Sequence, residues 1–197
     1  MDASDLDPAV DYIFTIGHSN TPLDVLLANL RAYSIEALVD VRSQPLSRFA
    51  PRFNRHALEQ TMPTVNVQYL FMGDRLGGRP SDASLYDAEG HVRYDLWSVH
   101  ARFRSGIGEV LALARHSRVA LMCSEEEPRG CHRHLLVARV LQERAFAADS
   151  ILHIRKDRSC ESEASLPRQG GLIQPPWRSP VALRHKMPRR RRLPVLD

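Results

Sequence analysis

The stretch YIFTIGHSNTPLDVLLANLRAY, residues 12–33, decides how the chain is read. Its first seven residues are apolar and partly β-branched up to a glycine and a histidine, the composition of a short buried strand. The remainder turns helical. Asn20 or Thr21 stands where a cap is needed and Pro22 where a first-turn proline is tolerated, while Leu23, Leu26, Leu27 and Leu30 recur at helical spacing. The same alternation continues outward from this unit. IEALVDVR (35–42), VQYLFM (67–72), VALMCS (119–124) and SILHI (150–154) are further short apolar runs, and helical patterns occupy 55–62, 96–116 and 131–147. Gly106 and Gly108 are expected to interrupt the pattern over 96–116, and 73–94 reads as a long loop, a feature that is often functional. Strands alternating with helices predict an α/β fold: a three-layer, Rossmann-like parallel sheet of about five strands with helices on both faces.

Length and charge set the limits of this reading. The chain has 197 residues, enough for one such domain over 12–155, with an N-terminal extension at 1–11 and a tail at 156–197. No run approaches the roughly 18 residues that cross a bilayer, and the acidic start MDASDLDPAVD is unlike a secretory signal, so no membrane association and a cytoplasmic location are expected. Three cysteines are then expected to be thiols. The net charge of +4 divides unevenly, because the tail carries ten Lys/Arg against four Asp/Glu, leaving about −2 for the rest. The body is therefore not a basic-patch protein. The tail, rich in Pro, Gly and Arg, is expected to be disordered, and its run RHKMPRRRR can touch phosphates or anionic surfaces.

In a parallel sheet the strand-to-helix turns share one edge, where ligands usually bind. His18 and Ser19 follow the first strand; Asp40 and Arg42 end the second; Gly77, Gly78 and Arg79 follow the third; Cys123, Glu125, Cys131, His132 and Arg133 follow the fourth. Their convergence predicts a composite polar pocket. Amides at a helix start, together with arginines, favour a small anionic ligand or a piece of nucleic acid.

These motifs, TIGHSN, DVRSQPLSR, FNRHAL, LGGRP and CSEEEPRGCHR, together resemble the DUF488 family, a domain of unknown function, over 12–154. The resemblance rests on the family's GHS, DVR, LGG and C-x-E-x-x-P-x-x-CHR elements, the last matched by Cys123, Glu125, Pro128, Cys131, His132 and Arg133. It implies an α/β domain with a polar site, and it implies neither a reaction nor a cofactor.

Residue chemistry sharpens the expectations. His18, Asp40, Glu125 and His132 are candidates for proton transfer, and Cys123 and Cys131 for thiol chemistry, with Cys131 at a helix start favoured for a lowered pKa. Ser19, Arg42, Gly77, Gly78, Arg79 and Arg133 are candidates for holding the ligand. Arg133, in the first turn of a helix, needs an anionic partner, either Glu125 or the ligand. The spacing from Cys123 to Arg129 is that of a phosphate-cradling loop, yet the intervening glutamates would repel phosphate. No metal is expected: neighbouring residues on a helix diverge by about 100°, which sets Cys131 and His132 apart. His91 and His134 read as surface histidines. The reading favours an enzyme of undefined reaction, with a non-catalytic nucleotide or nucleic-acid binding module and a thiol redox protein as alternatives.

Overall fold

The computed structural model describes residues 3–167 and 177–183. Six strands form one sheet in the order β3-β2-β4-β1-β5-β6: β1 (Ile13–Gly17), β2 (Ala37–Asp40), β3 (Gln68–Phe71), β4 (Val119–Cys123), β5 (Ile151–Ile154) and β6 (Cys160–Ser162). The first five pair in parallel and β6 runs antiparallel to β5. The dinucleotide-binding fold has the order 3-2-1-4-5-6. Here β4 lies between β2 and β1, so the likeness to that fold stops at the layered α/β architecture.

The period-2 alternation of the strands divides the interior into two cores. Ile13, Val39, Val119 and Leu121 face one side, covered by Phe103, Ile107 and Val110 of α5 (Ala101–Ala114) and by Leu136 and Leu141 near and within α6 (Arg139–Arg144). Phe14, Ile16, Leu38, Ala120 and Met122 face the other, covered by Leu26 and Leu30 of α1 (Leu23–Ala32) and Leu58 of α2 (Arg55–Thr61). Helices on both faces follow from this double-sided burial. The expected helix α1 begins at Leu23 behind Pro22, where the missing N–H costs nothing.

Several boundaries move. The helical pattern over 96–116 breaks at residues 98–100 rather than at its glycines, giving a short α4 (Tyr94–Trp97) and an uninterrupted α5. Gly106 lies where α5 packs on Leu76: an added Cβ there would stand 2.9 Å from the leucine side chain. The expected loop over 73–94 starts with a helical turn, α3 (Gly73–Leu76), and contains a 3₁₀ turn at Ala83–Leu85.

The largest correction concerns the domain's end. Beyond residue 155 the chain adds β6 to the sheet and then buries Glu163, which accepts hydrogen bonds from His134 and His153, each at 2.8 Å. Residues 177–183 also pack on the body. Trp177 donates its indole N–H to the Leu135 carbonyl at 2.7 Å, Ser179 exchanges hydrogen bonds with Val92, and Arg178 pairs with Asp87 at 2.6 Å. The run RHKMPRRRR lies outside the described residues. Among the described residues no helix is long and apolar enough to cross a membrane.

Candidate functional site

The register of the central strands brings the site together. Gly17 pairs with Cys123 and Asp40 with Met122, so β1, β2 and β4 end at nearly the same level. Backbone bonds carry the alignment past the strand ends: His18 N–H reaches the Cys123 carbonyl at 3.0 Å and Ser19 N–H the Ser124 carbonyl at 2.8 Å. Gly17 is required at this crossing. A Cβ there would stand 2.5 Å from the Glu125 carbonyl carbon and 2.6 Å from Arg133 Nη1.

Above these strand ends lies a cavity of about 280 Å³, lined among others by Arg42, Gly78, Arg79, Tyr94, Cys123, Glu125, Cys131 and His132. Its floor is a thiol, imidazole and carboxylate cluster. The Cys123 and Cys131 thiols donate to Glu125 Oε2, at 2.9 and 3.3 Å, and His132 Nδ1 stands 3.6 Å from Cys123 Sγ and 3.9 Å from Cys131 Sγ. His132 Nε2 lies 3.0 Å from the Val41 carbonyl, which can only accept, so Nε2 carries a proton. Gly78 makes room for the ring, since a Cβ there would stand 2.7 Å from His132 Cγ.

Environment separates the two thiols. Burial pushes the Cys131 thiol well above its usual range, and the neighbouring Cys123 sulfur adds to the rise. The Cys131 hydrogen bond moves Cys123 the other way, aided by His132 and opposed by burial. Burial alone would lower the His132 pKa, but Cys123 and Glu125 outweigh it and raise it. The thiol favoured for ionisation is therefore Cys123, not Cys131 at the helix start.

Arg42 is held from below. Its Nε and Nη2 donate to Asp40 at 2.8 and 2.6 Å, Nη2 also to the Phe53 carbonyl at 2.7 Å, and Nη1 faces His18 Nε2 at 2.9 Å. Tyr69 adds a 2.6 Å bond to Asp40. His18 in turn gives Nδ1–H to the Ser19 carbonyl at 2.6 Å and stacks on Phe53. Burial first, and then the Arg42 charge, lower its pKa from 6.5 to about 4. His18 is thus a neutral strut with both ring nitrogens engaged.

Arg133 is wholly buried, at 0 % exposure, and turns inward. Its guanidinium donates to the Glu125 and Glu126 backbone carbonyls and not to the anionic partner expected for it. It clamps the loop behind the cavity and is not among the residues that line it. The turn it occupies, Arg133–Ala138, is π-helical before α6 begins, an irregularity frequent at functional sites.

With this geometry in place, the chain can be compared with known proteins. The family profile described as domain of unknown function DUF488 matches residues 22–140. The chain belongs to the DUF488 family. No curated protein and no solved structure matches it. The matched span of this DUF488 chain runs from the start of α1 to the start of α6 and so contains β2, β3, β4 and the cavity floor.

Of the expected site residues, Cys123, Glu125, Cys131, His132, Arg42, Gly78 and Arg79 meet at the cavity. Asp40 and His18 support Arg42 from beneath, Ser19 lies outside with a left-handed backbone (φ 46°), and Gly77 gives its carbonyl to Trp97. Tyr94 and the wall formed by Ser179, Pro180, Val181 and Leu183 were not anticipated. Nothing in the sequence near Ser179 marks it, because its order comes from hydrogen bonds to the distant Val92. His134 is not a surface residue; it is 2 % exposed and bonded to Glu163, while His91 reaches the Ser179 carbonyl at 2.6 Å.

Proposed function

We propose that this DUF488 chain is an enzyme that draws a small anionic ligand, of the nucleotide or nucleic-acid-related class, into the sheet-edge cavity. It acts there with the thiol, imidazole and carboxylate groups of the floor. The supporting observation is Arg79. Arg79 lines the same cavity as Cys123 and His132 and is exposed, and its guanidinium makes no hydrogen bond or ion pair among the described residues, whereas Arg42 and Arg133 are committed internally. A free cation over a nucleophile and a proton carrier is the arrangement that orients an anionic substrate. The cavity is near the lower end of small-molecule sites, which favours a mononucleotide-sized ligand over a duplex.

In this reading Cys123 gives its proton to His132 and its sulfur attacks an electrophilic centre of the ligand, the bond to the leaving group breaks with the proton passing from His132 to that group, and Glu125 holds the thiols in register. The test is a thermal-shift screen of nucleotides, sugar phosphates and short oligonucleotides, with hits followed for turnover by mass spectrometry. A ligand whose stabilisation is lost in Arg79→Ala, and whose turnover is lost in Cys123→Ser while binding persists, supports the reading. Binding that persists unchanged in Arg79→Ala, or turnover unaffected by Cys123→Ser, refutes it. A thiol redox role is the second reading, because the two sulfurs lie within 4.8 Å of each other. It requires that a disulfide co-reactant oxidise the pair to a Cys123–Cys131 bond, taking up both electrons and both protons; peptide mapping decides whether that bond forms.

A further inference from the structure

We infer that Cys123, Cys131 and His132 form a binding site for a zinc-class divalent cation, with Glu125 at the fourth position. Cys123 Sγ, Cys131 Sγ and His132 Nδ1 all lie within 4.8 Å of one another at the cavity floor. A tetrahedral zinc with bonds of about 2.3 Å to sulfur and about 2.0 Å to nitrogen sets such donors about 3.5 Å apart. The observed separations from Nδ1 to the two sulfurs are 3.6 and 3.9 Å. Neighbours on a helix diverge, but His132 lies at the first turn and its ring folds back over Gly78 toward both sulfurs.

The surroundings prepare these atoms. His132 commits its Nε2 proton to the Val41 carbonyl at 3.0 Å, so Nδ1 is the nitrogen that faces the sulfurs and offers its lone pair in the neutral ring. A ligating histidine fixed through its other nitrogen by a backbone carbonyl is the usual outer support of a metal site. Glu125 Oε2, at 2.9 and 3.3 Å from the sulfurs, accepts the two thiol protons that a cation would displace. Two thiolates and an imidazole select zinc-class ions over magnesium or calcium, which take oxygen ligands. On binding, each thiol releases its proton to solvent, so uptake is accompanied by acidification.

A second cluster shows what this arrangement is not. His134, His153 and Glu163 are equally close, yet His153 spends its nitrogens on Thr15 and Glu163, and His134 spends its own on Glu163 and the Pro167 carbonyl. No ring nitrogen there is left without a partner. The Cys123 cluster instead opens on the space that Arg79 overlooks, so a bound cation would face an anionic ligand directly.

The inference concerns the same floor as the proposed activity and does not depend on turnover: with a cation bound, Cys123 and His132 are its ligands and not the attacking thiol and proton carrier, so the two readings are tested separately. The test uses the full chain: elemental analysis after purification in zinc, followed by replacement with cobalt and an optical spectrum. The expected result is a single cation per chain, with a thiolate-to-cobalt charge-transfer band and the d–d absorption of a tetrahedral site. Cys123→Ser, Cys131→Ser and His132→Ala should each bind roughly tenfold or more weaker, the scale seen when even outer support is lost, whereas Cys160→Ser should bind as the parent does. Absence of the charge-transfer band in folded parent protein overturns the inference, whatever the variants do. Equal binding by parent and all three ligand variants overturns it as well. Cobalt binding by a chain that binds no member of the nucleotide and sugar-phosphate panel would leave the site standing and count against the enzymatic reading alone.

Discussion

Replacing Gly17 by alanine adds one carbon and tests the crossing on which the site is built. Gly17 lies in the extended backbone of β1, where alanine would ordinarily gain about 0.5–1 kcal/mol from the less flexible unfolded chain. The structure reverses that sign. The new Cβ would stand 2.5 Å from the Glu125 carbonyl carbon and 2.6 Å from Arg133 Nη1, whereas comfortable contacts begin near about 3.5 Å. Backbone on one side and a buried guanidinium on the other must therefore shift by about 1 Å. Overpacking of this kind costs about 1–3 kcal/mol. At roughly 2–4 °C per kcal/mol for a chain of this size, the loss is readable by calorimetry. Gly108→Ala is the control, because nothing lies within 4 Å of its Cβ on the exposed face of α5; it should stabilise by about 0.5–1 kcal/mol. If Gly17→Ala melts at or above the parent temperature, the proposed clamp of Gly17, Glu125 and Arg133 is wrong.

Three further outcomes are expected. His18 is held neutral with a pKa of about 4 against 6.5 unfolded, so between these values the unfolded chain binds more protons; stability is complete above pH 6.5 and falls by about 3 kcal/mol as pH drops toward 4. Urea titrations across this window should show the loss and a shallower slope in His18→Asn; identical slopes would rule His18 out as its source. Arg133→Met leaves the Glu125 and Glu126 carbonyls without their buried partner and should cost about 3 kcal/mol, at about 1–3 kcal/mol per carbonyl; a parent-like urea midpoint would contradict this. Trp177→Ala removes the anchor of the cavity's outer wall, so the Val92 and Tyr94 amides, which donate to Ser179 and Trp177, should exchange with deuterium faster, and unchanged protection would show that the wall holds without it.

Much of the architecture was legible because it rests on local patterns. The five parallel strands were visible as β-branched runs bounded by turn residues, and α1 was visible in Pro22 and its leucines. The shared edge of a parallel sheet then brought Cys123, Glu125, Cys131, His132, Arg42 and Arg79 together without further information. What was not legible depends on where side chains point. Arg133 and His134 stand on the same helical turn, and sequence spacing cannot say that one buries against the Glu125 loop and the other against Glu163. His134 seemed exposed because its partner comes 29 positions later, beyond the expected end of the domain. The wall around Ser179 has no periodicity and takes its order from tertiary hydrogen bonds.

The most direct test of the central claim is calorimetric titration of parent protein, Arg79→Ala and Arg102→Ala with the best anionic hit from the nucleotide and sugar-phosphate panel. Arg102 is an exposed arginine of α5 that does not line the cavity and serves as the control for charge alone. A charge-assisted hydrogen bond is worth about 1.5–3 kcal/mol, so affinity should fall roughly tenfold or more in Arg79→Ala and stay at the parent value in Arg102→Ala. Equal affinity in all three proteins, or no binding by the parent at any member of the panel, would contradict an anion site at this cavity.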